Sequence, residues 1–164
     1  MTGTVSRDKD DFKRPDLLDQ ALAEITKWGA PLGITAKLGD VARDYKDQDA
    51  LYAQGREPLA VVNALRLRAG VPTLIGTENE KRVTWTRRSE HIVDLDDNLT
   101  DNDKSGAFDF QLFKDGRYLK GETSVEANWY RTAARVVETS VPGLYSGIHF
   151  KNPDLDHLQL RPTC

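Results

Sequence analysis

The sequence predicts an α+β fold, a small antiparallel sheet with helices packed on it. Three observations carry that expectation. Apolar residues recur at three- and four-residue spacing over Pro15–Trp28 and again over Val125–Thr139, one buried helical face in each case. Short runs of alternating apolar residues crowd the later part of the chain, at Ala107–Phe113, Leu144–Phe150 and Leu155–Leu160. Between Ala107–Phe113 and Arg117–Leu119 stands Asp115-Gly116, a two-residue hairpin signal.

In chain order, residues 1–13 are polar and charged and are expected to be a flexible lead-in, with residues 14–164 a single domain. The first helix opens on Pro15, carries Leu17, Leu18, Ala21, Leu22, Ile25 and Trp28 on its apolar face, and stops at Gly29 and Pro31. Ile34–Ala42 alternates as a strand would, with Arg43 at its exit. Asp44 is placed to cap a second helix that runs to Gly55 with Leu51 and Tyr52 inward. Pro58–Ala69 reads as a third helix, and a loop around Gly76–Glu80 leads to a strand at Arg82–Thr86. An acidic insertion rich in turn formers follows at about 92–105, carrying Asp94, Asp96, Asp97, Asp101 and Asp103. The helix over Val125–Thr139, with Trp129, Ala133, Val136 and Val137 on one side, ends near Pro142-Gly143, and two short strands close the chain.

Composition narrows the function. At 164 residues the chain can bury a core without disulfides. A formal net charge of −3 leaves no basic footprint for nucleic acid. Lys81, Arg82, Arg87 and Arg88 are the local exception, equally readable as a solvated edge or as a site for an anionic substrate. With 30% charged residues and mean hydropathy −0.58, no apolar run approaches the ~18 residues of a membrane helix, so no stable membrane insertion is expected. The N-terminal residues show no apolar core of a secretory signal. Cys164 is the single cysteine, which excludes an internal disulfide and suits synthesis in a reducing compartment.

The chemistry is carried by two stretches, Trp85–Phe110 and Phe150–Leu160. His91 precedes an apolar-alternating segment that presents Asp109, and Asp154-x-x-His157 sits in a second one. Two imidazoles and one carboxylate brought together form a three-ligand zinc site whose fourth position stays open, as in a catalytic rather than a structural site. A lone histidine on an apolar strand is more often a satisfied core residue, but two of the three histidines here lie beside aspartates. Hydrolysis of a peptide also needs a base near the metal, and Asp154, three residues before His157, is favoured over Asp156 on spacing. A fixed cation to receive charge on the scissile carbonyl is a role open to Arg43; pairing with Asp47 at the surface is the plain alternative.

Taken together, Arg43-x4-Gln48-x2-Leu51-Tyr52-Ala53-Gln54-Gly55-Arg56, Val83-Thr84, Ser89-x-His91, Gly106-Ala107-Phe108-Asp109-Phe110, Trp129, Gly147 and Asp154-x-x-His157-x-Gln159 resemble the D-alanyl-D-alanine carboxypeptidase-like zinc peptidases. That family includes VanY-type enzymes and the L-alanyl-D-glutamate peptidases of phage endolysins. The match runs from about residue 17 to 161. The resemblance implies a fold shared with the hedgehog signalling domain, zinc on His91, Asp109 and His157, Asp154 as general base, and Arg43 facing the substrate carbonyl. Gln48 and Ser89 fall on positions of the substrate pocket or of the ligands' outer partners, and Arg87 with Arg88 would edge a cleft for carboxylate-bearing stem peptides. One departure stands out: the family's short His-x6-Asp spacing is replaced by seventeen residues between His91 and Asp109. Asp96 or Asp97 would be the fallback ligand, and the insertion's carboxylates are oxygen donors of the kind calcium takes, without the EF-hand spacing. The expected protein is a monomeric peptidoglycan hydrolase, made in the host cytoplasm and acting after membrane release. The alternative is a non-catalytic module on the same fold that binds wall peptides or calcium.

Overall fold

The computed structural model describes residues 5–43, 45–84, 90–92 and 104–162. Helix α1 (Pro15–Gly29) is followed by strand β1 (Ile34–Leu38), helices α2 (Tyr45–Ala53) and α3 (Leu59–Arg68), and the hairpin β2 (Ala107–Lys114) and β3 (Arg117–Leu119). Helix α4 (Ser124–Ser140) and strands β4 (Leu144–Ser146) and β5 (His157–Leu160) complete the chain. The five strands form one antiparallel sheet in the order β1-β2-β5-β4, with β3 paired to β2 as well. The fold is therefore α+β with a small antiparallel sheet, as the apolar periodicities predict.

Helices α1 and α4 bury their apolar stripes on one face of this sheet. Leu18, Ala21 and Ile25 from α1 and Tyr130, Ala133 and Val137 from α4 meet Phe108, Phe110, Leu112, Leu119, Leu144 and Leu158 from the strands. Because successive strand residues point to opposite faces, committing Phe108 and Phe110 to the helices sends Asp109 to the other face. That other face carries the candidate site. The hairpin turns at Asp115 and Gly116, both at positive φ (50° and 82°), the conformation for which Asp-Gly is suited. Across it, the Tyr130 hydroxyl accepts from Leu112 N–H (3.0 Å) and donates to the Leu119 carbonyl (2.7 Å), bridging the two strands where Leu112 and Leu119 are paired.

Several boundaries differ from the sequence expectation. The lead-in is not loose from Val5 on: Ser6 bridges to Ala42, and Phe12 is buried in the core edge-to-face with Phe108, ring centroids 5.0 Å apart. The strand expected over Ile34–Ala42 ends at Leu38, because Gly39 and Asp40 both answer the single residue Asp109 in the manner of a bulge. Gly39 N–H donates to the Asp109 carbonyl and Asp109 N–H to the Asp40 carbonyl, each at 2.8 Å. Arg82–Thr84 lie in no strand; Trp85 and Thr86 fall outside the described residues, as does the Asp44 cap. The strand expected over Leu144–Phe150 stops at Ser146, whose hydroxyl accepts from Ile148 N–H and starts a 3-10 turn at Gly147–His149. The last strand starts at His157 rather than Leu155. No helix among the described residues is long and apolar enough to cross a membrane.

Candidate metal centre

Sheet register brings two of the three expected ligands together. Asp109 of β2 lies directly opposite His157 of β5. Phe110 N–H donates to the Asp156 carbonyl on one side of that pair (2.9 Å), so Asp109 and His157 form a non-hydrogen-bonded pair. In such pairs the Cα atoms are only about 4.5 Å apart and the side chains stand close. A slip of one residue would turn either ligand toward the helices. His91 comes from outside the sheet, held by Arg43 N–H donating to its carbonyl (2.9 Å).

The three side chains converge. His91 Nε2 lies 3.0 Å from Asp109 Oδ1 and 3.2 Å from His157 Nδ1, and His157 Nδ1 lies 3.4 Å from Asp109 Oδ1. The outer nitrogens fix both tautomers. His91 Nδ1–H donates to the Val41 carbonyl (2.8 Å), which leaves Nε2 with a lone pair facing inward. His157 Nε2–H donates to Gln159 Oε1 (2.9 Å), which leaves Nδ1 likewise. Two inward lone pairs and a carboxylate oxygen repel one another unless a proton or a cation lies between them. Tetrahedral bonds of ~2.0–2.1 Å hold ligand atoms about 3.3 Å apart, the scale of this triangle. His91 and His157 are 2% and 4% exposed, so little water competes. This buried His-Asp-His cluster could hold a metal ion.

The electrostatics agree with a shared positive charge. Burial works against the Asp109 carboxylate, but the charges and hydrogen bonds of His91 and His157 outweigh it and hold the carboxyl below its usual range. Burial would likewise lower His157; the hydrogen bond and charge of Asp109 reverse the sign and raise it. Burial, with the negative charges of Asp109 and Asp154, pushes the Asp156 carboxyl well above the carboxylate range.

The cluster forms the floor of a cleft of about 520 Å³. Asp154 and Asp156 stand on the wall next to His157, Glu90 on the wall next to His91, and Phe150 leans on the His157 ring (centroids 5.4 Å apart). Gly147 permits this packing: a Cβ there would sit 2.5 Å from the Asp154 carbonyl oxygen and 3.1 Å from His157 Cβ. Arg43 lines the cleft and is buried, not the surface arginine of the plain alternative. Its Nη1 donates to Gln48 Oε1 (3.0 Å) and its Nη2 to Asp40 Oδ2 (3.4 Å), while its buried Nε has no hydrogen-bond partner among the described residues. Gln48, 1% exposed, passes the chain of bonds on to Thr84 Oγ1 (3.2 Å).

His91, Asp109, His157, Asp154 and Arg43 thus share one cleft, with Gln48 behind Arg43. Ser89, Arg87, Arg88 and the insertion carboxylates, with the fallback ligands Asp96 and Asp97, lie outside the described residues. Sequence reasoning gave no role to the Val41 carbonyl, to Asp40 or to Gln159. Gln159 had a usable signal, since two residues beyond His157 on a strand it shares the same face. No protein-family model matches the chain, and neither does any curated protein. What fold and site define together is an α+β domain with a cleft whose buried floor could hold a metal ion.

Proposed function

We propose that the protein is a zinc peptidase that hydrolyses an amide bond in the stem peptides of peptidoglycan, as an L-alanyl-D-glutamate endopeptidase or a D,D-carboxypeptidase. One observation carries this reading: His91 Nε2, His157 Nδ1 and Asp109 Oδ1 converge at the floor of an open cleft that also presents Arg43 and Asp154. Two imidazoles and a carboxylate suit zinc; calcium takes six to eight oxygens and is disfavoured at this cluster. Bound there, zinc supplies Lewis acidity and brings the pKa of water toward ~7.

Asp154 takes the proton of the attacking water and hands it to the leaving amine. It is the exposed carboxylate of the pair, whereas Asp156 is the more enclosed. Arg43, steadied by Gln48 and Asp40, donates to the carbonyl oxygen as negative charge builds there. In this reading the chain works as phage endolysins do, accumulating in the host cytoplasm and meeting the wall after membrane release.

Digestion of purified peptidoglycan followed by mass spectrometry of the muropeptides tests the proposal and names the bond. The unaltered protein, loaded with zinc, should release fragments bearing one new amine and one new carboxylate, and His157→Ala should fall to background. A folded protein that binds wall peptides without cleaving them would instead favour the non-catalytic module.

A further inference from the structure

Two of the three candidate ligands hang on three consecutive main-chain groups just past β1. The Gly39 N–H and the Asp40 carbonyl pin the backbone of Asp109, and the Val41 carbonyl receives His91 Nδ1–H. Residues 39–41 belong to no helix or strand, so no ladder of their own fixes them. What they lean on is the N-terminal segment. The Ser6 carbonyl accepts from Val41 N–H (2.8 Å) and Ala42 N–H (3.3 Å), and Ser6 N–H donates to the Ala42 carbonyl (2.7 Å). Arg7 Nε reaches Asp40 Oδ1 at 3.1 Å.

The other end of the segment grips the entry to β2. Ser105 N–H donates to the Asp11 carbonyl (2.7 Å), Lys13 N–H donates to the Ser105 carbonyl (3.0 Å), and Phe12 is buried against Phe108, the neighbour of Asp109. In between, the segment is folded on itself by the Ser6–Asp11 side-chain bond and a 3-10 turn at Lys9–Asp11 capped by Asp8. It therefore spans from the residues that hold His91 and Asp109 to the strand that presents Asp109. None of its side chains lines the cleft.

We propose that Ser6–Lys13 is a clasp for the metal centre, with Ser6 a positioning residue that acts through residues 39–42. The clasp fixes the separation of His91 and Asp109 and so sets how tightly the cluster holds its ion. This rests on the cluster being a metal centre and is independent of any peptidase activity. Coupling between two sites is reciprocal, so an ion bound at the cluster must in turn tighten the clasp.

The test uses the full chain and Zn²⁺ alone. Ser6→Pro removes the N–H that donates to Ala42. By calorimetric titration its Zn²⁺ affinity should be about tenfold or more weaker than that of the unaltered protein, the scale of losing an outer partner of a ligand. Lys9→Ala, which alters the same segment at a side chain that bonds to Asp19 of α1, should bind Zn²⁺ as before. In the unaltered protein, hydrogen exchange at the Val41 and Ala42 amides should slow on Zn²⁺ binding by a larger factor than at amides of α3. Equal affinity in a folded Ser6→Pro chain would overturn the clasp and leave the metal centre standing. Should that variant fail to fold, the exchange experiment decides alone, and unchanged Val41 and Ala42 rates would overturn it. Absence of Zn²⁺ binding to the unaltered protein would remove the metal centre and the clasp together.

Discussion

At the scale of single residues, the cluster is set up by what its imidazoles do on their far sides. A carbonyl can only accept, so Val41 assigns the proton of His91 to Nδ1; the Gln159 oxygen does the same for Nε2 of His157. Without those two bonds each ring could turn or change tautomer, and the inward lone pairs would be lost. Gln159→Ala is accordingly expected to weaken Zn²⁺ binding by about 10–100-fold while the fold is kept, a result that calorimetric titration beside a thermal melt would read. Unchanged affinity would mean that Phe150 packing alone orients His157. Gln159 is also the outer partner that sequence could have revealed, by strand alternation. Main-chain acceptors such as Val41 have no side-chain signature, which is why the His91 partner was illegible.

At the scale of elements, β2 is the member that joins core to site. Its even-numbered residues Phe108, Phe110 and Leu112 enter the core with α1, α4 and Phe12, and in doing so they fix the face and register of Asp109. The Tyr130 hydroxyl secures the hairpin end of the same strand. Burial pushes the Tyr130 phenol above its ordinary range, with only part of the effect offset by its bond to Leu112. The folded state thus keeps a proton that the unfolded chain releases near pH 10. The stabilisation is full below about pH 10 and declines as pH rises from there toward the higher folded value. Tyr130→Phe should cost about 1–3 kcal/mol at neutral pH by leaving strand groups unsatisfied, and should lessen the alkaline loss of stability. Urea denaturation at pH 7 and at pH 10.5 would show both, and an unaltered alkaline decline would assign that loss to other groups. Helices α1 and α4 were legible because their apolar spacing repeats over several turns. The β2–β3 turn was legible because Asp-Gly meets a specific backbone demand.

At the scale of the whole molecule, the centre is assembled from parts far apart in sequence. Seventeen residues stand between His91 and Asp109, and no spacing rule says that they meet; residues 39–43 hold both, and the β2–β5 register sets Asp109 against His157. The packing of the N-terminal segment leaves little trace in the sequence, for a physical reason. Phe12 is one aromatic residue in a charged run, without the periodicity that marks buried elements, yet it fills a core position. Short strands and the 3-10 turn at Gly147–His149 were blurred for a similar reason, since alternation over three residues cannot be told from chance. The resemblance only implies a ligand set; the geometry adds two outer hydrogen bonds that assign the tautomers, a shared cleft and a buried floor.

The most direct test of that geometry is X-ray absorption at the zinc edge on the zinc-loaded protein. The account requires a four-coordinate ion with two imidazole nitrogens and light oxygen neighbours at ~2.0–2.1 Å, and loss of imidazole scattering in His157→Ala. A shell of six oxygens, a sulfur neighbour from Cys164, or a spectrum unaltered by His157→Ala would contradict it.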